Sequence, residues 1–206
     1  ARHDRVIRPL LSIWDSHHLR VTILVERSKM GASAVDANLG WRVASPNDSI
    51  VDLSIQAGLL PEHDSGSRPM HVMLPLNAYP NLNAGVSGPL WTGDIGDPDV
   101  MASMSETAAE EICKVGDPEM NLKEVRRAKR AVKRICDEGK AIHGRHLVIT
   151  DALPSFVGGG DPPSPTKMAE TLRGEGFCAE VSRYAEPSFR TDAPWSAVLQ
   201  AFVSLS

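Results

Sequence analysis

Leu19, Val21, Ile23 and Val25 alternate with Arg20, Thr22, Leu24 and Glu26, and this period of two predicts a strand that buries one face. Between Ser28 and Gly88 the pattern weakens. Short β-like runs (Trp41 to Ala44, Ile50 to Ile55, His71 to Leu74) sit among Gly, Pro, Asn and Ser, as expected of short strands joined by irregular loops. From residue 96 the period changes. Three helix starts carry proline at the first helical position behind a capping side chain, at Asp97-Pro98, Asp117-Pro118 and Ser164-Pro165, where the missing N–H costs nothing. The first predicted helix runs to about Cys113 with Val100, Met101, Met104, Ala108 and Ile112 inward. The second runs from Pro118 to about Glu138, with Leu122, Val125, Ala128, Val132 and Ile135 forming one buried stripe. Gly139 suits a left-handed cap at its end.

After an apolar run from His146 to Ile149, the segment Phe156 to Pro163 reads as loop. Its three glycines resemble a phosphate cradle, but Pro162 and Pro163 lack the N–H donors such a cradle uses, and the spacing is not that of a P-loop. A helix from Pro165 to Arg173, a strand from Phe177 to Tyr184, a turn at Glu186-Pro187 and a last helix from about Asp192 to Val203 complete the chain. The expected fold is α+β. Residues 1–95 form a β-rich region with a short-stranded sheet and irregular loops. Residues 96–206 form a helical region ending in a winged-helix-like arrangement of helix, helix and hairpin, an order shared by many nucleic-acid readers and by many other α+β domains.

Charge changes this picture. The segment Leu122 to Arg134 holds seven Lys or Arg and one Glu, so it carries +6 and leaves −10 for the rest of a chain of net charge −4. A polyanion would be steered to one place on an otherwise acidic protein. Lys123, Arg126, Arg127, Lys129, Arg130, Lys133 and Arg134 fall outside the apolar stripe, on a helix whose 21 residues would span roughly 31 Å. A solvated structural helix has the same composition. Lys167, Arg173, Arg183 and Arg190 flank the last hairpin and are further candidates for phosphate contact, although each alone is more often a surface charge.

The remaining chemistry is sparse. Cys113, Cys136 and Cys178 are odd in number and widely spaced, which predicts buried thiols in a reducing compartment rather than disulfides or a zinc site. No metal is expected. The longest apolar runs are too short to span a bilayer, and the N-terminus has no signal-like core, so the sequence is read as cytoplasmic with no membrane partner. Trp91 reads first as a core anchor and second as a stacking platform for a base. Asp192 reads as a helix cap rather than a general base.

Three motifs then carry a resemblance over Pro9 to about Ala201. Pro9-Leu10-Leu11-Ser12 with Asp15, His17 and Arg20-Val21 resembles the PLLS…DxHxxRV region of the tRNA guanine-N2 dimethyltransferases acting at guanosine 26. Gly88-Pro89-Leu90-Trp91-Thr92-Gly93 is similar to their GPLWxG motif. Pro162-Pro163, Leu172, Gly176-Phe177 and Thr191-Asp192-Ala193-Pro194 resemble their C-terminal PP…L…GF…TDAP pattern. The resemblance implies an enzyme with a Rossmann-like domain that binds S-adenosylmethionine and a C-terminal part that holds tRNA. No glycine-rich cofactor turn and no Asp-Pro-Phe-Gly signature occur here, so no catalytic or cofactor-binding residue is carried over. Many relatives have paired cysteines in the middle, and relatives have a Thr-His-Phe run before the TDAP turn; this chain has neither, reading Ser182-Arg183-Tyr184. The expectation is a C-terminal, tRNA-holding part, inactive alone, with S-adenosylmethionine bound outside the chain and its own N-terminal methyltransferase domain as partner. The phosphate surface would be Lys123, Arg126, Arg127, Lys129, Arg130, Lys133, Arg134, Lys167, Arg183 and Arg190. Two rivals are a free-standing RNA- or protein-interaction module and an independent enzyme built on Asp15, His17 and Asp192.

Overall fold

The computed structural model describes residues 4–15, 17–60, 69–78, 85–116, 119, 121–144, 146–183 and 187–206. Its strands form three small antiparallel sheets. The first is a ribbon of β1 (Arg5–Asp15) and β2 (His18–Arg27). The helix α1 (Lys29–Ala34) packs against β1, and the Ser28 side chain caps it by accepting from the Gly31 N–H. The alternation in β2 is real, but the face it predicts as buried is open: Leu19 is 62% exposed and Val25 51%. Periodicity fixes which residues share a face. Burial depends on what lies over it.

The second sheet has β3 (Leu39–Ala44) between β4 (His71–Pro75) and β5 (Val86–Trp91). Its core joins Val43, Val72 and Leu74 to Val51 of α2 (Asp48–Gln56) and to Leu60. That helix occupies the run Ile50 to Ile55, which was expected as β-like. The Asn47 side chain accepts from the Ile50 N–H and starts it, and local capping outweighs the β-branched composition. Gly40 lies in the central strand where an added Cβ would stand 2.0 Å from the Leu74 carbonyl oxygen.

The Asp97 side chain caps α3 (Pro98–Ala102), as expected, and its backbone N–H donates to Leu10 O, tying the helix start to β1. Arg8 adds an ion pair to Asp97 at 2.8 Å. The helix expected to continue to Cys113 breaks instead. Ser103 Oγ donates back to Val100 O, and Ser105 Oγ accepts from the Ala108 N–H at the start of α4 (Glu106–Gly116). Serines bonding their own backbone compete with helix continuation. The break resets the helical phase, so Ile112, expected inward, is 72% exposed.

The helix α5 (Leu122–Gly139) packs against α4, α3 and β7. Asn121 is its cap; the expected start at Asp117-Pro118 lies outside the described residues. Of the expected apolar stripe Val125 is buried, Ala128, Val132 and Ile135 are half-buried, and Leu122 at the first turn is exposed. Gly139 is not a left-handed cap, because the helix ends through Lys140 in the right-handed region. It is a close-approach site, where a Cβ would meet Met101 Cβ at 2.9 Å.

The third sheet has the order β6 (His146–Ile149), β8 (Ser188–Thr191), β7 (Ala179–Ser182). Between β6 and β7 run the short α6 (Pro154–Val157) and α7 (Pro165–Gly174), the latter capped by Ser164 as expected. The last helix, α8 (Trp195–Leu205), closes the core through Trp195, Val198 and Phe202 against Phe189, Met168 and Leu172. Asp192 does not cap it. Its carboxylate accepts from the Cys178 N–H at 2.8 Å, joining the start of β7 to the end of β8. The mixed helix and strand content bears out an α+β fold.

Candidate nucleic-acid interface

The cations of α5 sort into two groups. Lys129 pairs with Glu110 of α4 at 2.9 Å, and Lys114 holds the other oxygen of that carboxylate at 2.7 Å. Hydrogen bonds from Lys114 and then Lys129 pull the Glu110 carboxyl down to about 2. Lys133 pairs with Asp137 at 2.6 Å, and Lys140 reaches the same carboxylate. Lys123, Arg126, Arg127, Arg130 and Arg134 are exposed and form no ion pair among the described residues. Five cations therefore face solvent on one helix, 18 residues or roughly 27 Å long.

Their position along the helix is informative. Lys123, Arg126, Arg127 and Arg130 lie in its first three turns, behind an Asn121 side chain that accepts from the Lys123 and Glu124 N–H groups. A helix N-terminus carries partial positive charge that fades within the first turn, so of these four only Lys123 is disfavoured by it, by a few tenths of a kcal/mol. An anion relieves that charge as well as the side chains' mutual repulsion. Lys123, Arg126, Lys129 and Arg130 line a cleft of about 420 Å³ together with Glu106 of α4.

The hairpin cations divide similarly. Lys167, in the first turn of α7, is exposed. Arg173 is committed elsewhere, donating to Ala179 O at 2.6 Å and pairing with Glu180 at 3.1 Å. Arg190 is 9% exposed; its Nη1 donates to Gly144 O at 3.3 Å and its Nε lies 3.8 Å from Glu138. A buried guanidinium held this way is a structural element and does not reach a phosphate, which corrects its expected role. Arg183 is half-buried, its backbone N–H donating to the same Glu138. Glu138 also accepts from Ser182 Oγ, and burial pushes its carboxyl upward against the pull of Ser182 and Arg190.

Two acids from α4, Glu106 and Glu110, complete the site and were not singled out from the sequence. Their one signal was the spacing Glu106, Glu110, Lys114, which puts all three on one helical face. Trp91 is half-buried and donates its indole N–H to Asp94 O at 2.9 Å, an anchoring arrangement. His17 and Arg20 are exposed on the ribbon, and the Asp15 side chain lies outside the described residues. None of the cysteines is buried: Cys113 and Cys136 are half-exposed, Cys178 is exposed, and all three are free thiols. Among the described residues no cluster of three potential metal ligands occurs, and no helix is long and apolar enough to cross a membrane.

The sequence model of the N2,N2-dimethylguanosine tRNA methyltransferase family matches residues 1–203. The chain belongs to this family. It is 25% identical over 206 residues to a tRNA (guanine(26)-N(2))-dimethyltransferase of Aeropyrum pernix, covering all of this chain and 45% of that protein. A Pyrobaculum aerophilum enzyme of the same name is 27% identical over 202 residues, with 98% of this chain and 42% of the relative covered. The chain thus spans less than half the length of these relatives. Its fold is similar to that of Trm1 from Pyrococcus horikoshii, solved in complex with S-adenosyl-L-methionine, with TM-score 0.67 and 15% identity over 98% of this chain and 45% of that one.

These matches correct two expectations. The family model runs through the chain almost end to end, and the matched segment falls in the N-terminal part of the relatives. A C-terminal, tRNA-holding part whose chemistry lies in a missing N-terminal domain is therefore not what the chain is, and S-adenosylmethionine is not to be placed outside it on that ground. A separate N-terminal domain as partner, and inactivity of the chain alone, likewise have no support. The described residues themselves do not fit the cofactor. All their strand pairings are antiparallel, and Gly158 to Gly160 run directly into the N–H-poor Pro162-Pro163, so no parallel strand feeds a glycine-rich helix start.

Proposed function

We propose that this methyltransferase-family chain works in methyl transfer to the exocyclic amine of guanine in tRNA, and that α5 grips the RNA backbone. The observation that carries the grip is the set Lys123, Arg126, Arg127, Arg130 and Arg134, exposed and free of ion pairs among the described residues. Lys167 extends the surface onto α7. Lys129 and Lys133 contribute field while held by their carboxylates. The buried apolar residues form two cores, one between Val43 and Leu74 and one between Val148 and Phe202 with Met70 packed against it, and this grouping supports a division of the chain near residue 95. A winged-helix-like reading of the second half is supported by the sheet order β6-β8-β7 with α7 leading into the β7–β8 hairpin. In that arrangement Lys167 lies on the helix that faces nucleic acid.

The test is a filter-binding titration of unmodified tRNA against salt. If about four phosphates are neutralised, the log–log slope is near −3. A slope near zero removes the proposal. Replacing Arg126 and Arg130 by Ala makes the slope shallower by about 1.5.

A further inference from the structure

The cleft beside α5 contains more than a phosphate grip requires. Its lining joins Lys123, Arg126, Lys129 and Arg130 to the carboxylate of Glu106. Glu106 is exposed and forms no ion pair among the described residues, although its charge is felt by Lys129 and Lys133. A carboxylate beside a phosphate site weakens phosphate binding. It becomes useful when the ligand also offers hydrogen-bond donors. Among the four RNA bases only guanine presents two adjacent N–H donors, N1–H and the N2 amine, on its Watson–Crick edge. Adenine and cytosine place an acceptor beside their amine, and uracil flanks its N3–H with two carbonyls. A carboxylate accepts the guanine pair with both oxygens, as it does a bidentate guanidinium. The cleft, at about 420 Å³, accommodates a nucleotide and not only a phosphate ion.

We infer that the α4–α5 cleft binds one unpaired guanosine nucleotide of RNA, with Arg126 and Arg130 on its phosphate and Glu106 on its Watson–Crick edge. This rests on the reading of α5 as an RNA-backbone surface and adds base selection to it. Unpaired bases are the part of an RNA whose edges a protein can read. Glu106 is then a specificity residue, and its neutralisation has a signature that a merely structural charge lacks. Glu106→Gln lowers selectivity while raising affinity for phosphate alone, because a negative charge leaves the cleft.

The experiment uses the 206-residue chain and fluorescently labelled single-stranded pentanucleotides, an adenosine run with adenosine, guanosine or inosine at the centre. Inosine keeps N1–H and lacks the N2 amine. The expected result is about tenfold tighter binding of the guanosine probe than of the adenosine probe, with inosine between them. Glu106→Gln brings the three together, and Arg126→Ala with Arg130→Ala weakens all three about equally. Equal affinities in the wild type, unchanged selectivity in Glu106→Gln, or no binding of any probe overturns the inference. A salt-dependent tRNA affinity with equal pentanucleotide affinities defeats the base-reading cleft alone; a salt-independent tRNA affinity defeats the backbone surface itself.

Discussion

Glu138 is the position where a single substitution tests most of the packing between α5 and the third sheet. It is 4% exposed, near Arg190 at 9% exposure, and accepts from Ser182 Oγ and the Arg183 N–H. Glu138→Ala leaves a buried guanidinium without its carboxylate and a buried hydroxyl without its acceptor, and breaking one side of such a pair costs about 3 to 5 kcal/mol. Glu138→Gln keeps the shape and an acceptor for Ser182, so its cost is about 1 kcal/mol. The pH dependence separates charge from packing. Burial raises the Glu138 carboxyl above its ordinary value, so the folded state binds this proton more tightly than the unfolded chain. The resulting stability is fully present below the unfolded carboxyl range and is lost as pH rises through the folded value. Urea unfolding followed by circular dichroism from pH 4 to 8 therefore shows wild type losing stability relative to Glu138→Gln as pH rises. Pairing Glu138→Ala with Arg190→Met recovers part of the loss, because the orphaned charge is gone. Equal losses in the Ala and Gln variants, or parallel pH profiles for wild type and Glu138→Gln, refute the buried-charge account.

His71 gives a dependence of opposite sign. Burial, with a smaller push from Arg42, lowers it from 6.5 to about 4, so stability is intact above pH 6.5 and declines as pH falls toward 4, by up to about 3 kcal/mol. His71→Phe flattens that decline in the same urea series. Gly40→Ala forces a Cβ to within 2.0 Å of the Leu74 carbonyl oxygen and costs about 3 kcal/mol or more by displacing β3, read as a large drop in Tm. Ile112→Ser and Val115→Ser, at 72% and 85% exposure, leave urea stability within about 0.5 kcal/mol of wild type.

How much of this was legible in the sequence follows from the range of the forces involved. The starts of α3 and α7 were readable because Asp97 and Ser164 act on backbone N–H groups two or three residues away. The helical face of α5 was readable because the repeat is local and long. The break between α3 and α4 depends on two serines choosing their own backbone, a competition that hydrophobic spacing does not report. Arg190 looked like a surface cation because its carboxylate stands on α5, far off in sequence, and only folding brings Glu138 to it. The apolar face of β2 was legible as a face. Its exposure was not, since alternation is blind to the layer above. In the site, the cations were found by charge density, whereas Glu106 and Glu110 were diluted in an acidic chain and became visible only once α4 lay along α5.

That packing also argues against a purely structural role for the basic helix. A helix that needs charge only for solubility gains most from acids in its first turn and bases in its last. In α5 the first turn holds one acid, Glu124, and one base, Lys123, the last turn holds no base at all, and Arg126, Arg127 and Arg130 follow in the second and third turns. Neighbouring acids were available to neutralise them. Glu110 instead takes Lys129 and Lys114, and Asp137 takes Lys133 and Lys140. The unneutralised charge is thus concentrated in the first three turns, where like charges repel one another and a bound anion relieves them. Reversing that arrangement tests the point: Lys123→Asp, in the first turn, stabilises the isolated fold slightly through the dipole while weakening tRNA binding, and a variant that strengthens both removes the electrostatic rationale.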